Sequence, residues 1–324
     1  MYRKESERTL YLDACKGFLS FLVVFGHCVA LYMEDDPVCR GLFWVIYSFH
    51  MPAFFFLSGY FSRRREKSVD ELFQSIILPA LPFELLYQAL HLALGMENAY
   101  PFLTPVFCYW YLFALFAARS ILKTAVQIRG ILPLSVLAAL LAGFNPYIGE
   151  YFALSRFLCV FPFFLLGYFL RDTQLSKIRT AKWYAVITGI ILAAVLLILG
   201  YAIAEGNVDL FRMHTPYTKW TDLFVRGIQM LVAAIMILVL LRLAPEKRNL
   251  LTHFGTGGYL VYIFNFYFVE ILAIALPHGA GDYWNWLVCL VFSGMSVWVM
   301  NQAMIRWMFS KITQLTCRLV QKTE

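Results

Sequence analysis

The sequence predicts an all-α integral membrane protein of about ten transmembrane helices, with both termini cytoplasmic. Three observations carry that prediction. First, 61% of the 324 residues are hydrophobic and only 15% are charged, a balance foreign to disordered chains and ill suited to a soluble globule. Second, apolar runs of about twenty residues, enough to cross a bilayer as a helix, recur along the whole chain. Third, the basic residues gather in alternate loops.

Ten candidate spans follow, at roughly 10–32, 41–61, 73–94, 103–121, 130–146, 151–170, 183–204, 222–241, 257–276 and 284–307. Backbone groups in lipid find no water, so these segments are expected as helices. The first is not a cleavable leader: it lacks a small-x-small site and carries Asp13 and Lys16. In the second, Pro52 is expected to kink the helix and Ser58-Gly59 to allow close helix packing. The third carries Glu84, the sixth Arg156, the eighth Arg226 and the ninth Glu270. The fifth is the shortest of the ten.

With the N-terminus in the cytoplasm, 21 of the 27 basic residues fall on the cytoplasmic side, as the positive-inside rule requires. The outer loops carry only Arg40, Arg212 and Lys219. An odd number of spans would spoil this alternation. The longest outer loop, about Glu205 to Thr221, is too short to fold alone, so residues 1–324 are expected as one transmembrane domain with no appended soluble domain. The formal charge of +7 is spread over short loops rather than gathered on one face, which argues against nucleic acid as a partner. The seven cysteines include no Cys-x-x-Cys pair, and neither a disulfide framework nor a metal site is read from them.

Ionisable groups at membrane depth are costly and point to function. His27 lies in the apolar run Leu10–Tyr32, and His50 in Ser48-Phe49-His50-Met51-Pro52. By helix rise, His27 sits roughly 7–8 Å below the outer end of the first span and His50 roughly 13 Å below that of the second. Both imidazoles fit one cavity open to the outside, with Glu84, Glu270, Arg156 and Arg226 in the same outer half. Histidine titrates near neutrality and suits general-base work, and a carboxylate would orient it. Asp13 is about 21 Å of helix from His27; Glu84 and Glu270 are easier partners. Structural alternatives stand beside each: a histidine bonding a carbonyl of a neighbouring helix, glutamates paired with Arg156 or Arg226, and Arg63-Arg64-Arg65 serving as a topology signal rather than a phosphate clamp.

These residues also resemble a known family. Arg8-x-x-x-Leu12-Asp13-x-x-Lys16-Gly17 followed by Val-Val-Phe-Gly26-His27 resembles the first-helix signature of the acyltransferase-3 integral membrane acyltransferases. Lys16 and His27 keep its basic-x10-His spacing. Phe49-His50-Met51-Pro52 with Phe55-Phe56-Leu57-Ser58-Gly59 is similar to its second-helix motif. Tyr109-Trp110-Tyr111-Leu112 and Phe161-Pro162-Phe163-Phe164-Leu165-Leu166-Gly167-Tyr168 are similar to later landmarks. The likeness is nearest to the stand-alone branch that includes fucose 4-O-acetylase-like proteins. Two departures stand out. The Arg-x-x-Arg pair entering the family's third helix is replaced here by Glu71-Leu-Phe-Gln74, which leaves Arg63, Arg64 and Arg65 as the nearest basic substitutes. A ninth-helix histidine of relatives is replaced within Tyr262-Ile-Phe-Asn265.

The resemblance implies a multi-pass protein of the cytoplasmic membrane that takes an acyl group from cytosolic acyl-CoA. Acetyl-CoA is the expected donor and succinyl remains open. The acceptor is a hydroxyl of a cell-surface glycan or lipid-linked saccharide; amino acids, teichoic acids and other envelope polymers remain open too. His27 becomes the expected catalytic histidine, helped by His50, Glu84 or Glu270. Lys16 and Arg63, Arg64 and Arg65 become donor contacts, and Arg156, Arg226 and Trp110 acceptor contacts. The rival reading is a proton-coupled transporter using the same intramembrane His and Glu groups.

Overall fold

A computed structural model describes residues 2–64, 67–93, 109–149, 153–281 and 283–320. Among them the chain is all-helical with no strand. Its first helices are α1 (Tyr2–Ala30), α2 (Pro37–Ser62), α3 (Val69–Leu72), α4 (Leu81–Ala93), α5 (Trp110–Ala125), α6 (Ile131–Leu141) and α7 (Leu154–Phe169). Then come α8 (Asp172–Arg179), α9 (Trp183–Ile203), α10 (Asp222–Leu243), α11 (Leu250–Thr256), α12 (Gly258–Ala275), α13 (Asn285–Met300) and α14 (Ala303–Val320).

The first two helices form the centre. α1 packs on α2, α11, α12 and α13, while α2 also packs on α7 and α10. The start of α2 is written in its sequence. Asp36 Oδ1 accepts from the backbone N–H of Val38 (2.8 Å) and Cys39 (3.1 Å), and Pro37 occupies the first turn, where its missing N–H costs nothing. Pro52 sits inside α2 without ending it.

Close approach of the central helices depends on two reciprocal glycine pairs. A Cβ at Gly59 would collide with the Phe164 carbonyl, and one at Gly167 with the Phe56 carbonyl. On the other side, Gly17 meets the Leu251 carbonyl and Gly255 the Asp13 carbonyl. In lipid, where apolar surface gives helices little reason to associate, such backbone proximity is the packing force. The packing expected of Ser58-Gly59 is thus present at Gly59.

Among the described residues, five helices are each long and apolar enough to cross a membrane: Leu10–Ala30, Pro37–Ser62, Trp183–Ile203, Asp222–Leu243 and Gly258–Ala275. The number rises to seven if two bent pairs each make one span. The chain is a multi-pass membrane protein, with a smaller set of full-length spans than the ten expected. The remaining expected spans meet shorter helices for local reasons. The third is divided by the π-turn Phe73–Ile77 and the turn before α4, where Pro79 and Pro82 interrupt the hydrogen-bond ladder. The tenth breaks after Met300, and the next helix leaves at 59°. Arg306 holds that break, donating from Nε to the Asn301 carbonyl (3.1 Å) and from Nη2 to Asn301 Oδ1 (2.8 Å). Parts of the fourth and sixth lie outside the described residues.

Candidate active site

The two intramembrane histidines meet around Tyr47. Tyr47 Oη lies 3.0 Å from His27 Nδ1, and its ring centroid lies 5.0 Å from that of His50. Tyr47 and His50 are three residues apart on α2, hence on one face; α1 brings His27 to that face. His50 is buried, and its Nδ1 donates to the Ile46 carbonyl at 2.7 Å. A neutral ring so held carries its lone pair on Nε2. The carbonyl belongs to its own helix, one turn earlier, not to a neighbour. His27 lies deep in the bundle yet keeps some accessible surface, as a side chain does when it faces an internal opening.

Basic residues surround this pair. The charged groups acting on His27 include His50, Arg212 and Arg156. Arg156 on α7 places its guanidinium 5.1 Å from the ring centre of Trp110 and its Nη2 3.0 Å from His214 Nδ1. The same Nδ1 lies 3.3 Å from the Arg212 carbonyl, so it meets a donor on one side and an acceptor on the other. Burial, then the nearby Arg156, pushes the His214 imidazole down to about 4 in pKa. Arg226 on α10 is 2% exposed and donates from Nη1 to Gln229 Oε1 at 3.4 Å. Gln229 in turn donates to the carbonyls of Phe211 (2.9 Å) and Tyr47 (3.4 Å). Arg226, Gln229, Tyr47 and His27 thus form a connected series from α10 through α2 to α1.

The carboxylates go elsewhere. Glu270 on α12 accepts from Tyr87 Oη on α4 at 3.2 Å, and Glu84 lies one turn before Tyr87. The described hydrogen bond on His27 therefore comes from a tyrosine rather than from either glutamate. Asp13 accepts from Lys16 Nζ at 3.0 Å, well away from His27 along α1.

The other end of α2, about 18 Å of helix beyond His50, opens on a cavity of about 750 Å³. Arg63, Lys67, Arg119 and Lys123 line it, and none of the described lining residues is a carboxylate. Arg63 is braced by the Leu170 carbonyl (2.7 Å) and Asp172 (3.0 Å). Arg64 is not a lining residue; it donates to Tyr60 Oη at 3.3 Å. Arg65 lies outside the described residues. Lys16 rests 4.0 Å from the ring centre of Phe61, itself a lining residue.

Sequence reasoning missed Tyr47, Gln229, His214, Arg119 and Lys123. For Tyr47 a signal existed in its i, i+3 spacing to His50, and for Gln229 in the same spacing to Arg226. The other three depend on which helices become neighbours.

Helices of membrane-spanning length around a buried imidazole pair, with a basic cavity at the opposite end, define a membrane-embedded protein built for chemistry between its two faces. The acyltransferase-3 model, described as an acyltransferase domain, matches residues 9–300, and the chain belongs to that family. No curated protein and no solved structure matches it.

Proposed function

We propose that this protein is a membrane O-acyltransferase of the cytoplasmic membrane that moves an acyl group, acetyl above all, from cytosolic acyl-CoA to a hydroxyl of an envelope glycan or its lipid-linked precursor. One observation carries the reading: the family match spans the helices that set His27 against Tyr47 beside His50. The orientation goes with it: ten passes in the bilayer, both termini cytosolic, and the histidines toward the outer side. The likeness to fucose 4-O-acetylase-like proteins supports a sugar as acceptor.

His27 is the base. In its working tautomer Nδ1–H is donated to Tyr47 Oη, and Nε2 takes the proton of the acceptor hydroxyl. The hydroxyl oxygen bonds to the thioester carbonyl carbon, the carbon–sulfur bond breaks, and the proton leaves with the CoA thiolate. His50, with its lone pair on Nε2, positions the acceptor or the thioester. Glu84 and Glu270 support the site through Tyr87 rather than by touching His27.

The donor's phosphates suit the basic cavity. Arg63, Lys67, Arg119 and Lys123 supply charge with no carboxylate among the described lining residues. They take the place of the Arg-x-x-Arg pair that this chain lacks, and Lys16 stands at the cavity edge through Phe61. Arg64 acts near that entrance as a topology-setting charge. The transporter alternative needs a relay joining the histidines to the carboxylates. What favours the acyltransferase reading over it is the family match, with His27 and His50 both at Tyr47 and Glu270 at Tyr87.

The test is transfer of label from radiolabelled acetyl-CoA by proteoliposomes, with wild type compared to His27→Ala. Label reaching a glycan, water or the protein only with intact His27 supports the reading. Substantial transfer by the variant rejects His27 as base, and no CoA-dependent binding or turnover by wild type rejects the acyltransferase.

A further inference from the structure

The side chain least explained by packing is Arg226. It is 2% exposed, midway around the bundle on α10, and its Nε and Nη2 have no hydrogen-bond partner. Among the described residues its Nη1 donates to the neutral Gln229, and the Tyr217 hydroxyl also lies within its reach. Asp222, one turn earlier and equally buried, spends Oδ2 on the Thr218 N–H (2.8 Å) and hydroxyl (3.1 Å) and on the Lys219 N–H (3.1 Å); its Oδ1 has no hydrogen-bond partner, and no ion pair with Arg226 forms among the described residues. The nearest aromatic ring, Tyr217, is centred 6.0 Å away. Buried arginines kept for stability are paired with a carboxylate; a buried charge left without one is destabilising.

The two idle donors belong together. Nε and Nη2 form the side-on edge of the guanidinium, whose parallel N–H groups match two oxygens of a carboxylate or phosphate. The surroundings also favour an anion: His214 feels Arg156, Arg212 and Arg226 together. Within this group Asp209 lies 2.7 Å from Arg212. Nη1 of the same guanidinium holds Gln229, which donates to the main-chain carbonyl of Tyr47, the residue whose hydroxyl meets His27.

We propose that Arg226 is an anion clamp for the acceptor, so that the acylated molecule carries a carboxylate or a phosphate near the hydroxyl that reacts. An acidic sugar and a phosphate-bearing glycan or polyol share this chemistry. The inference rests on the acyltransferase reading for the word acceptor, but the clamp is measurable without any acyl donor.

The experiment uses the purified full chain in detergent. Its melting midpoint is followed against inorganic phosphate and, separately, against glucuronate, each compared with chloride at matched ionic strength. Wild type and Arg226→Lys should be stabilised by one of the two anions beyond chloride; whichever acts at lower concentration tells phosphate from carboxylate. Arg226→Met removes one buried charge beside another, Asp222, so its midpoint without anion serves as its own reference for the anion response. Its apparent affinity for the anion should fall by about ten- to a hundredfold. The basic cavity at the far end of α2 also gathers cations, so the decisive quantity is the part of the response that Arg226→Met removes. No anion effect in the wild type, or an undiminished effect in Arg226→Met, overturns the clamp and leaves Arg226 solvated by water shared with Asp222. An intact clamp with no acetyl transfer overturns the acyltransferase reading alone, and transfer to neutral acceptors with no anion effect overturns the clamp alone.

Discussion

At the scale of single residues, the proposed site sets Tyr47 against His27, where a carboxylate was expected. A phenol orients an imidazole without bringing a second buried charge, which suits a site already next to Arg156 and Arg212. Removing that hydroxyl by Tyr47→Phe should keep the ring stacking on Phe43 while loosening His27. A lost hydrogen bond of about 1–1.5 kcal/mol corresponds to a fall of about tenfold in kcat, with little change in KM for acetyl-CoA; equal activity would show that the tyrosine only packs. His214 gives a pH signature. Held down to about 4 when folded, it stays neutral while the unfolded chain takes up a proton at about 6.5. The unfolded state then binds more protons, so stability is lost as pH falls from about 6.5 to 4. His214→Gln should flatten that part of the melting-midpoint profile measured in detergent; an unchanged slope would assign the acid lability to other groups. His27 and His50 stand out in the sequence because a titratable group in an apolar run is expensive. Tyr47 does not, because a tyrosine there costs almost nothing until its partner is known.

At the scale of elements, the helices are fastened where side chains are smallest and where ends are capped. The Gly59–Gly167 contact brings α2 and α7 backbone to backbone, and with them Arg156 toward the imidazoles. Gly167→Ala forces a methyl against the Phe56 carbonyl, and overpacking of this kind costs about 1–3 kcal/mol. A lowered melting midpoint with reduced transfer should follow, whereas a wild-type midpoint would show that the two helices separate without loss. Asp36 has a double duty, capping α2 through Oδ1 and accepting from Asn285 Nδ2 at 3.1 Å through Oδ2. Asp36→Ala loses the cap and strands a buried amide, at about 2 kcal/mol or more, read as thermal unfolding in detergent. Of these features only the close packing at Ser58-Gly59 was read from the sequence; the Asp36 cap and Pro37 lie before the point where hydropathy began the second span. The break of the tenth expected span was not legible, because Arg306 secures it by bonds to Asn301 that hydropathy does not register.

At the scale of the whole molecule, polar groups occupy two stations. The imidazoles and arginines gather toward one end of α2 and the lysine- and arginine-lined cavity lies at the other. α9 stands at the periphery, with 22% of its most apolar window buried and Ile187, Ile191, Val195 and Ile198 exposed, as a lipid-facing helix should. The proposed orientation makes a direct prediction. In intact cells an impermeant maleimide should label Asp35→Cys from outside and Lys247→Cys only after permeabilisation. The reverse pattern would invert the protein, and labelling of both from outside would break the even number of crossings.

Composition, run length and the placement of lysine and arginine were enough to read a helical membrane protein and to single out His27 and His50. These are properties of segments and of transfer energies, and they need no knowledge of neighbours. Which helices reach full span depended on local breaks: a π-turn before α4 and the Asn301–Arg306 clasp after α13. The composition of the site depended on long-range packing. Tyr47 faces His27 because α1 and α2 cross, Arg226 reaches that face through Gln229 because α10 packs on α2, and Arg119 and Lys123 join Arg63 because α5 approaches the end of α2. Contacts between residues far apart in the chain leave no periodic trace in it, so they came only from the assembled bundle.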